Sequence, residues 1–109
     1  LVALGTDFPI EHIDPLHTFF AAVDRTDNNN WPENGFLAHQ KLTAEQTLRG
    51  MTYGAAYSAF GESDYGSIKI GQKANFTVLN QNLFNSQKRD RKTCKVEHTI
   101  VSGNIVYSR

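Results

Sequence analysis

The sequence predicts an α+β fold in which helices precede a set of antiparallel strands. Three observations support this prediction. A short apolar run at residues 1–4 stops at a Gly-Thr-Asp sequence and is typical of a buried strand. Apolar residues then recur at helical spacing between residues 15 and 60, and short strand-like runs separated by glycine turns follow residue 66. Helices followed by consecutive strands are typical of α+β proteins.

The first predicted element is the strand Leu1–Leu4, which presents the carboxylate of Asp7 just after its C-terminal end. In parallel α/β barrels, catalytic groups collect at this end of the strands. A carboxylate there can bind a divalent metal, or accept a proton from metal-bound water, whose pKa the metal lowers to about 7. The alternative is that Asp7 only shapes the bend by bonding nearby backbone groups. Because this strand has no earlier strand to pair with, we expect the chain to be the tail of a larger enzyme.

The next element is a helix that we predict from Pro15 to about Arg25. Asp14 is a favourable N-cap, and proline suits the first turn. One face is apolar and carries Leu16, Phe19, Phe20 and Val23. The Asp-Asn run at residues 27–30 is expected to end the helix. The following loop, residues 31–36, contains two large aromatic residues, and we expect it to be packed against the protein.

A second helical region begins at Thr43, which forms a capping box with Gln46. The periodicity continues to about Phe60, as one helix or as two helices broken near Gly54, and Gly61 is expected to end it. Its small residues would let another element approach closely; they are Gly54, Ala55, Ala56 and Ala59.

Strands are predicted in the last third of the chain. Residues 67–74 alternate briefly around a glycine turn, and residues 75–80 form a clear strand pattern. Residues 95–101 and 105–107 predict a β-hairpin around a tight turn that contains Gly103.

Composition excludes several classes of protein. The 109 residues carry 11 basic and 11 acidic side chains, so no strong field attracts nucleic acid or an anionic membrane. No apolar run approaches the roughly 20 residues that cross a bilayer. The single cysteine, Cys94, cannot form an internal disulfide, and it is interpreted as a small half-buried strand residue rather than a reactive thiol. We expect a cytoplasmic protein with no nucleic-acid or membrane partner.

Few other side chains indicate chemistry. The four histidines, His12, His17, His39 and His98, form no His-x-His or His-x-x-x-His pair. His12 follows Asp7 closely and is a candidate pocket residue, with an ordinary surface role as the alternative; the other three are interpreted as structural or exposed. No Gly-x-Ser-x-Gly elbow supports a serine nucleophile. The basic run at residues 88–92 contains an acid and no aromatics, so a solvated loop fits it better than a nucleic-acid site.

Four stretches together resemble the C-terminal end of the amidohydrolase superfamily, in the branch that includes N-substituted formamide deformylases. Each is modest alone, but the four occur in the right order along nearly the whole chain. They are Gly5-Thr6-Asp7-Phe8-Pro9 with Asp14-Pro15-Leu16; residues 42–48 with residues 52–57; Gly66-Ser67-Ile68 through residues 71–79; and residues 99–101 through residues 103–107.

The resemblance implies a metal-dependent hydrolase of carbon–nitrogen bonds other than peptide bonds, with a small-molecule amide-type substrate. Members have a (β/α)8 TIM barrel and a small β-sandwich. Residues 1–61 would be the last strand and helices of the barrel, and residues 62–109 the antiparallel strands of the sandwich. Asp7 falls on the aspartate that binds the metal, most commonly zinc, and moves the proton of the hydrolytic water. Pocket-lining residues would be Phe8, Pro9, Glu11 and His12.

The resemblance also sets limits on the isolated chain. The remaining metal ligands would lie upstream of Leu1, so we expect the chain alone to be inactive and to bind no metal tightly. Exposed apolar faces and unpaired edges, including the apolar face of the first helix, are expected to cause self-association. Asn75 and Asn80 stand where the family usually has aspartate. The alternative function is a stand-alone, non-catalytic binding or assembly module.

Overall fold

The structure is a computed structural model that describes residues 1–85 and 93–109. Helix α1 spans Pro15–Asp24 and is followed by a short 3-10 helix, Ala38–Gln40. A helical run then comprises α2, Ala44–Arg49, a π-helical turn, Gly50–Gly54, and α3, Ala55–Ser58. Strands β1, Phe76–Leu79, β2, Val96–Val101, and β3, Asn104–Ser108, form an antiparallel sheet in the order β1-β2-β3. The predicted α+β class is confirmed.

Helix α1 begins where the sequence predicts, because the Asp14 carboxylate accepts a hydrogen bond of 2.9 Å from the amide of Leu16. It ends at Asp24, before the Asp-Asn run, because Arg25 adopts a left-handed conformation with φ of 53°. Its amide donates to the carbonyl of Ala21 at 3.1 Å. The cap residues therefore set both ends of this helix.

The apolar face of α1 forms the centre of the core, where Phe19 is completely buried. Partly buried side chains of the α2 region and of β1 surround it; the packed set is Leu16, Phe19, Phe20, Leu83 and Cys94 with Val23, Ala44, Leu48, Met51 and Leu79. The expectation that this face is bare in the isolated chain is wrong. Other parts of the same chain supply enough apolar surface to cover it.

The helical run from Ala44 keeps the predicted capping box, in which Thr43 and Gln46 exchange hydrogen bonds of 2.9 and 3.1 Å. The chain is not broken near Gly54, because Gly50, Gly54 and Ala55 all keep right-handed helical angles through the π turn. The residue with a left-handed conformation at the end is Phe60, with φ of 57°. Glycine at position 61 makes room for a neighbour instead: a Cβ there would collide with the ring of Tyr65 unless that side chain moved.

The N-terminal segment lies against this helical run. The amide of Leu4 donates to the carbonyl of Gly50 at 3.1 Å, and a Cβ at Gly54 would collide with the carbonyl of Val2. The close approach that the small residues predict is therefore present. The predicted buried strand is not: residues 1–4 have no strand pairing, and the side chains of Leu1 and Val2 are exposed. A strand requires a neighbouring strand for its backbone groups, and the described residues supply none here.

The loop at residues 31–36 is not packed as predicted, since Trp31 is 72% exposed and Phe36 is 62% exposed. Backbone bonds hold this loop instead. The Asp27 carboxylate accepts from the amide of Trp31 at 2.9 Å, and the amide of Phe36 donates to the carbonyl of Arg25 at 2.7 Å. Because these bonds fix the backbone, the aromatic rings need not be buried to order the loop.

The hairpin of β2 and β3 forms as predicted, around a two-residue turn. Ser102 and Gly103 both have positive φ, 50° and 81°, as a type I′ turn requires. The two asparagines that replace the family's usual aspartates anchor the ends of β1. Asn75 accepts from the amide of Ser102 and Asn80 from the amide of Lys95, each at 2.8 Å through Oδ1. An aspartate would offer the same acceptor, so this departure from the family pattern leaves the local structure intact.

Residues 67–74 do not form the predicted strand. The segment folds back against the residues that precede it: Gln72 donates through Nε2 to the carbonyl of Glu62, and the amide of Lys73 donates to the carbonyl of Asp64, both at 2.8 Å. A glycine with φ of 92°, Gly71, makes the reversal. The alternation of apolar residues leaves Ile68 and Ile70 exposed. Alternation alone does not make a strand where no partner lies alongside.

Apolar side chains remain exposed in several places among the described residues, and two of these places bear on self-association. One is on β3, where Ile105 is 64% and Val106 is 61% exposed. The other follows Asp7 and includes Phe8, Ile10 and Ile13. Self-association through such surfaces stays a prediction. The basic run at residues 88–92 lies outside the described residues, and no described helix is long and apolar enough to cross a membrane.

Candidate active site

The candidate catalytic residue, Asp7, lies in a tight turn that immediately follows the N-terminal segment. Its φ is 49°, a conformation that aspartate tolerates better than most residues. Its carbonyl accepts from the amide of Ile10 at 2.9 Å, and the hydroxyl of Thr6 accepts from the amide of Phe8 at 3.3 Å. The backbone of Asp7 and the side chain of Thr6 therefore shape the bend. The Asp7 carboxylate is exposed and bonds to no described residue.

A metal site cannot be completed from the described residues. No group of three or more histidine, cysteine, aspartate or glutamate side chains converges anywhere in residues 1–85 and 93–109. Zinc sites need three or four protein ligands. One carboxylate at Asp7 does not meet that requirement by itself.

His12 is tied to the start of α1. Its Nδ1 accepts a hydrogen bond of 3.1 Å from the amide of Asp14, and its ring stacks on the ring of His17 with centroids 4.7 Å apart and planes tilted by 30°. The two imidazoles border a recess of about 250 Å³ together with Glu11 and Asp27. The sequence does not indicate this pairing, because a spacing of five residues that spans a helix start has no fixed geometry.

A larger cleft of about 400 Å³ lies beside the segment that carries Asp7. Leu4 and Gly5 border it on the N-terminal side of Asp7, and Glu11 borders it on the C-terminal side. Helix α1 and the chain around residue 41 complete it; the remaining lining residues are His17, Thr18, Ala21, Ala22, Arg25, Gln40 and Leu42. Of the four predicted pocket-lining residues, Glu11 lies in both depressions and His12 in the smaller one. Phe8 and Pro9 line neither.

Sequence reasoning missed Arg25, His17 and Gln40 as lining residues of this cleft. Arg25 carries no sequence signal, because its position depends on the left-handed conformation at the end of α1. Gln40 reaches the cleft through the short 3-10 helix, which no pattern predicts. His17 has one weak signal, its place in the first turn of a helix that starts next to the candidate site.

The other reactive side chains lie elsewhere. Cys94 is buried in the core just before β2, and burial raises the pKa of its thiol, so the reactive thiolate is disfavoured. His98 lies on β2 with Nδ1 3.1 Å from the hydroxyl of Ser108. His39 is exposed in the 3-10 helix. These three residues do not line the cleft or the recess.

Comparison with known proteins supports the resemblance read from the sequence. Residues 1–107 match the Amidohydrolase family. The chain is 31% identical to Protein LONG AFTER FAR-RED 3 of Arabidopsis thaliana over 98% of its own length and 18% of the relative's length. It is 29% identical to Bacillus subtilis (strain 168) YtcJ, whose name assigns it to the amidohydrolases, over 100% of this chain and 21% of that protein.

A third relative is the N-substituted formamide deformylase of Arthrobacter pascens, which is 28% identical over 99% of this chain and 19% of the relative. The chain therefore spans about a fifth of the length of the curated relatives it matches. No solved structure matches it significantly.

Proposed function

The chain belongs to the Amidohydrolase family, and from this premise we propose that it is the C-terminal part of a metal-dependent hydrolase of carbon–nitrogen bonds other than peptide bonds. In this proposal residues 1–61 end a (β/α)8 barrel and residues 62–109 belong to a composite β-sandwich. The N-terminal segment lying along the α2 helical run is consistent with a barrel strand beside its helix. The three-stranded antiparallel sheet is consistent with part of a sandwich.

The observation that carries the proposal is the state of the Asp7 side chain. An aspartate that serves only to shape a bend would bond the backbone of its own turn. In this chain the Thr6 hydroxyl and the Asp7 carbonyl accept the hydrogen bonds that form the turn. The Asp7 carboxylate is exposed and makes no hydrogen bond to a described residue. A carboxylate left available at the end of a segment packed on a helix is suited to bind a cation or a proton.

We assign two roles to Asp7 in the whole protein: it is one ligand of a divalent metal, zinc in this proposal, and it accepts the proton of the attacking water. Three or four ligands are needed and the described residues offer no converging group, so in this proposal other parts of the whole protein supply the remaining ligands. General base catalysis by a positioned carboxylate contributes about 100- to 10,000-fold to a rate. The chain alone is accordingly inactive in this proposal.

The reaction class is supported by the names of relatives. One is named an N-substituted formamide deformylase and another an amidohydrolase, and a formamide is a non-peptide amide. We propose the same general chemistry for the protein that contains this chain, with a small amide as substrate. The exposed residues Phe8 and Ile10 next to Asp7 would lie against other parts of that protein or against the substrate.

The proposal is tested with Asp7→Asn in the full-length polypeptide. Asparagine keeps the shape of the side chain but is a poor metal ligand and cannot accept the proton, so turnover of an N-substituted amide should fall by about 100-fold or more. Asp64→Asn is the matched control, because that carboxylate is exposed and only 3.9 Å from Lys73 in a surface ion pair. Circular dichroism checks that both variants fold. Near-normal turnover of the Asp7→Asn variant would contradict the catalytic role and leave Asp7 with a structural role in the bend.

A further inference from the structure

Two asparagines at the ends of β1 do the same structural work. Through Oδ1, Asn75 accepts a hydrogen bond of 2.8 Å from the amide of Ser102. Asn80 accepts one of the same length, 2.8 Å, from the amide of Lys95. An aspartate oxygen would also accept either bond. The side-chain nitrogen Nδ2 of each asparagine makes no hydrogen bond to a described residue, so these two nitrogens are not needed for the described fold.

Asn75, unlike Asn80, has a hydroxyl residue two positions after it. The sequence Asn75-Phe76-Thr77 is an Asn-x-Thr acceptor sequence for N-glycosylation, with no proline at the middle position. Asn80 is followed at the same spacing by Asn82, which has no hydroxyl. No other asparagine of the 109 residues has serine or threonine at this spacing. The chain therefore carries one such acceptor sequence, and Asn80 is an internal comparison with an equivalent structural role.

The structure places this acceptor sequence where a bulky group can be attached. Asn75 and Thr77 are both exposed, and the Thr77 hydroxyl makes no hydrogen bond to a described residue. Strand β1 lies at one edge of the described sheet, so no described strand pairs with its outer side. A glycan on Nδ2 leaves Oδ1 free to keep its bond to the amide of Ser102. Attachment at Asn75 is therefore compatible with the bond that anchors the start of β1.

We propose that Asn75 is an N-glycan acceptor and that the Thr77 hydroxyl is the group by which a glycosyltransferase recognises it. The donor is a lipid-linked oligosaccharide diphosphate. Nδ2 of Asn75 bonds to C1 of the first sugar, the C1–O bond to the diphosphate breaks, the lipid diphosphate leaves, and Nδ2 gives up one proton.

This proposal places residues 75–77 in the lumen of the secretory pathway during synthesis, in place of the expected cytoplasm. The lumen is oxidising, and the one thiol of the chain, Cys94, is buried in the core, where it is shielded from oxidation and from other thiols. The inference goes beyond the proposed hydrolase function and does not depend on it.

The glycan would also change how the sheet meets other chains. An edge strand with unpaired backbone groups can recruit further strands, and a bulky, hydrophilic group beside it hinders that pairing. A glycan on Asn75 would shield the start of β1. Strand β3, at the other edge of the described sheet and exposed in all five residues, would stay available to other parts of the whole protein.

The test uses the full-length polypeptide purified from the cells that naturally make it. The protein is digested with trypsin and treated in heavy-oxygen water with a peptide N-glycosidase, which converts a glycosylated asparagine to an aspartate that carries the heavy oxygen. The tryptic peptide of residues 74–88 contains both Asn75 and Asn80. Fragment masses should place the heavy oxygen at Asn75 and leave Asn80 unlabelled. No label at Asn75, or equal label at both positions, would overturn the proposal.

Variants of the full-length protein made in the same cells separate the acceptor role from the structural role. Thr77→Val keeps a β-branched side chain suited to a strand but removes the hydroxyl, so the glycan should be lost; Thr77→Ser should keep it. Asn75→Asp keeps the acceptor oxygen for Ser102 and should also lose the glycan, whereas Asn80→Asp should not. Electrophoretic mobility before and after the glycosidase measures the glycan. A glycan that persists in Thr77→Val would overturn the proposal, and if a variant fails to fold, the isotope label in the unmodified protein decides.

Discussion

At the scale of single residues, Asp14 makes a bond whose loss is measurable. Its carboxylate caps α1 at the amide of Leu16, and the helix it starts supplies the buried Phe19. Replacing an N-cap aspartate by alanine costs about 0.5–2 kcal/mol, so Asp14→Ala should lower the free energy of unfolding of the chain by that amount. Urea denaturation followed by circular dichroism measures this loss.

The control for Asp14→Ala is Asp64→Ala, which removes an exposed carboxylate whose ion pair is worth little, about 0–1 kcal/mol. We expect the Asp14→Ala variant to lose clearly more free energy of unfolding than the control. Equal losses would mean that the cap contributes nothing to α1.

The sequence predicts the helix N-caps, but it does not predict how deeply Cys94 is buried or where Arg25 lies. The sequence predicts Asp14 and Thr43 as helix N-caps, because an N-cap hydrogen bond depends only on the next three residues. Cys94 was expected in a strand and half-buried, but it is fully buried just before β2, because burial depends on distant parts of the chain. The sequence does not predict that Arg25 lines the cleft, since no neighbouring residue indicates that the backbone of Arg25 is left-handed.

At the scale of elements, the N-terminal segment contacts the π turn. Because of this contact, we expect replacement of a glycine in the turn by alanine to lower the stability of the chain rather than raise it. Gly54 has helical angles, so Gly54→Ala would ordinarily stabilise a helix by about 1 kcal/mol. Here the new Cβ would collide with the carbonyl of Val2. Overpacking of this kind typically costs about 1–3 kcal/mol, so the collision should outweigh the gain in propensity.

The variant should therefore be less stable than the unmodified chain, or should release the N-terminal segment and lose protection from exchange at the amide of Leu4, which bonds to Gly50. Gly5→Ala serves as the control, because a Cβ at Gly5 meets no atom within 4 Å. Denaturation together with hydrogen exchange distinguishes the two outcomes. A Gly54→Ala chain that is more stable, with Leu4 still protected, would contradict the packing described here.

Elements defined by local signals were predicted, and those that need a partner were not. Helix α1 and the hairpin of β2 and β3 follow from caps, periodicity and a two-residue turn. Residues 1–4 and 67–74 have strand-like patterns but no strand beside them, so they are irregular. The π turn inside the second helical run also has no local signal, because its angles remain those of an α-helix.

At the scale of the whole molecule, the chain buries one small core and leaves other apolar surface uncovered. Six hydrophobic residues are buried among the described residues, whereas each of the five residues of β3 is exposed, including Ile105 and Val106. Large contiguous exposed apolar patches mark sites of contact with other protein, with membranes or with ligands. Together with relatives about five times as long, this surface supports the proposal that the chain is one part of a larger enzyme.

The central claim is that this chain provides one ligand, Asp7, to a metal site that residues elsewhere complete. The metal content of the dialysed 109-residue chain and of the dialysed full-length polypeptide, measured by elemental analysis, tests it most directly. We expect well under one equivalent of zinc, manganese or iron in the chain, where no three donors converge among the described residues, and at least one equivalent in the full-length protein. A full equivalent held by the chain alone, or none held by the full-length protein, would contradict the claim, and the second result would favour a non-catalytic binding or assembly module.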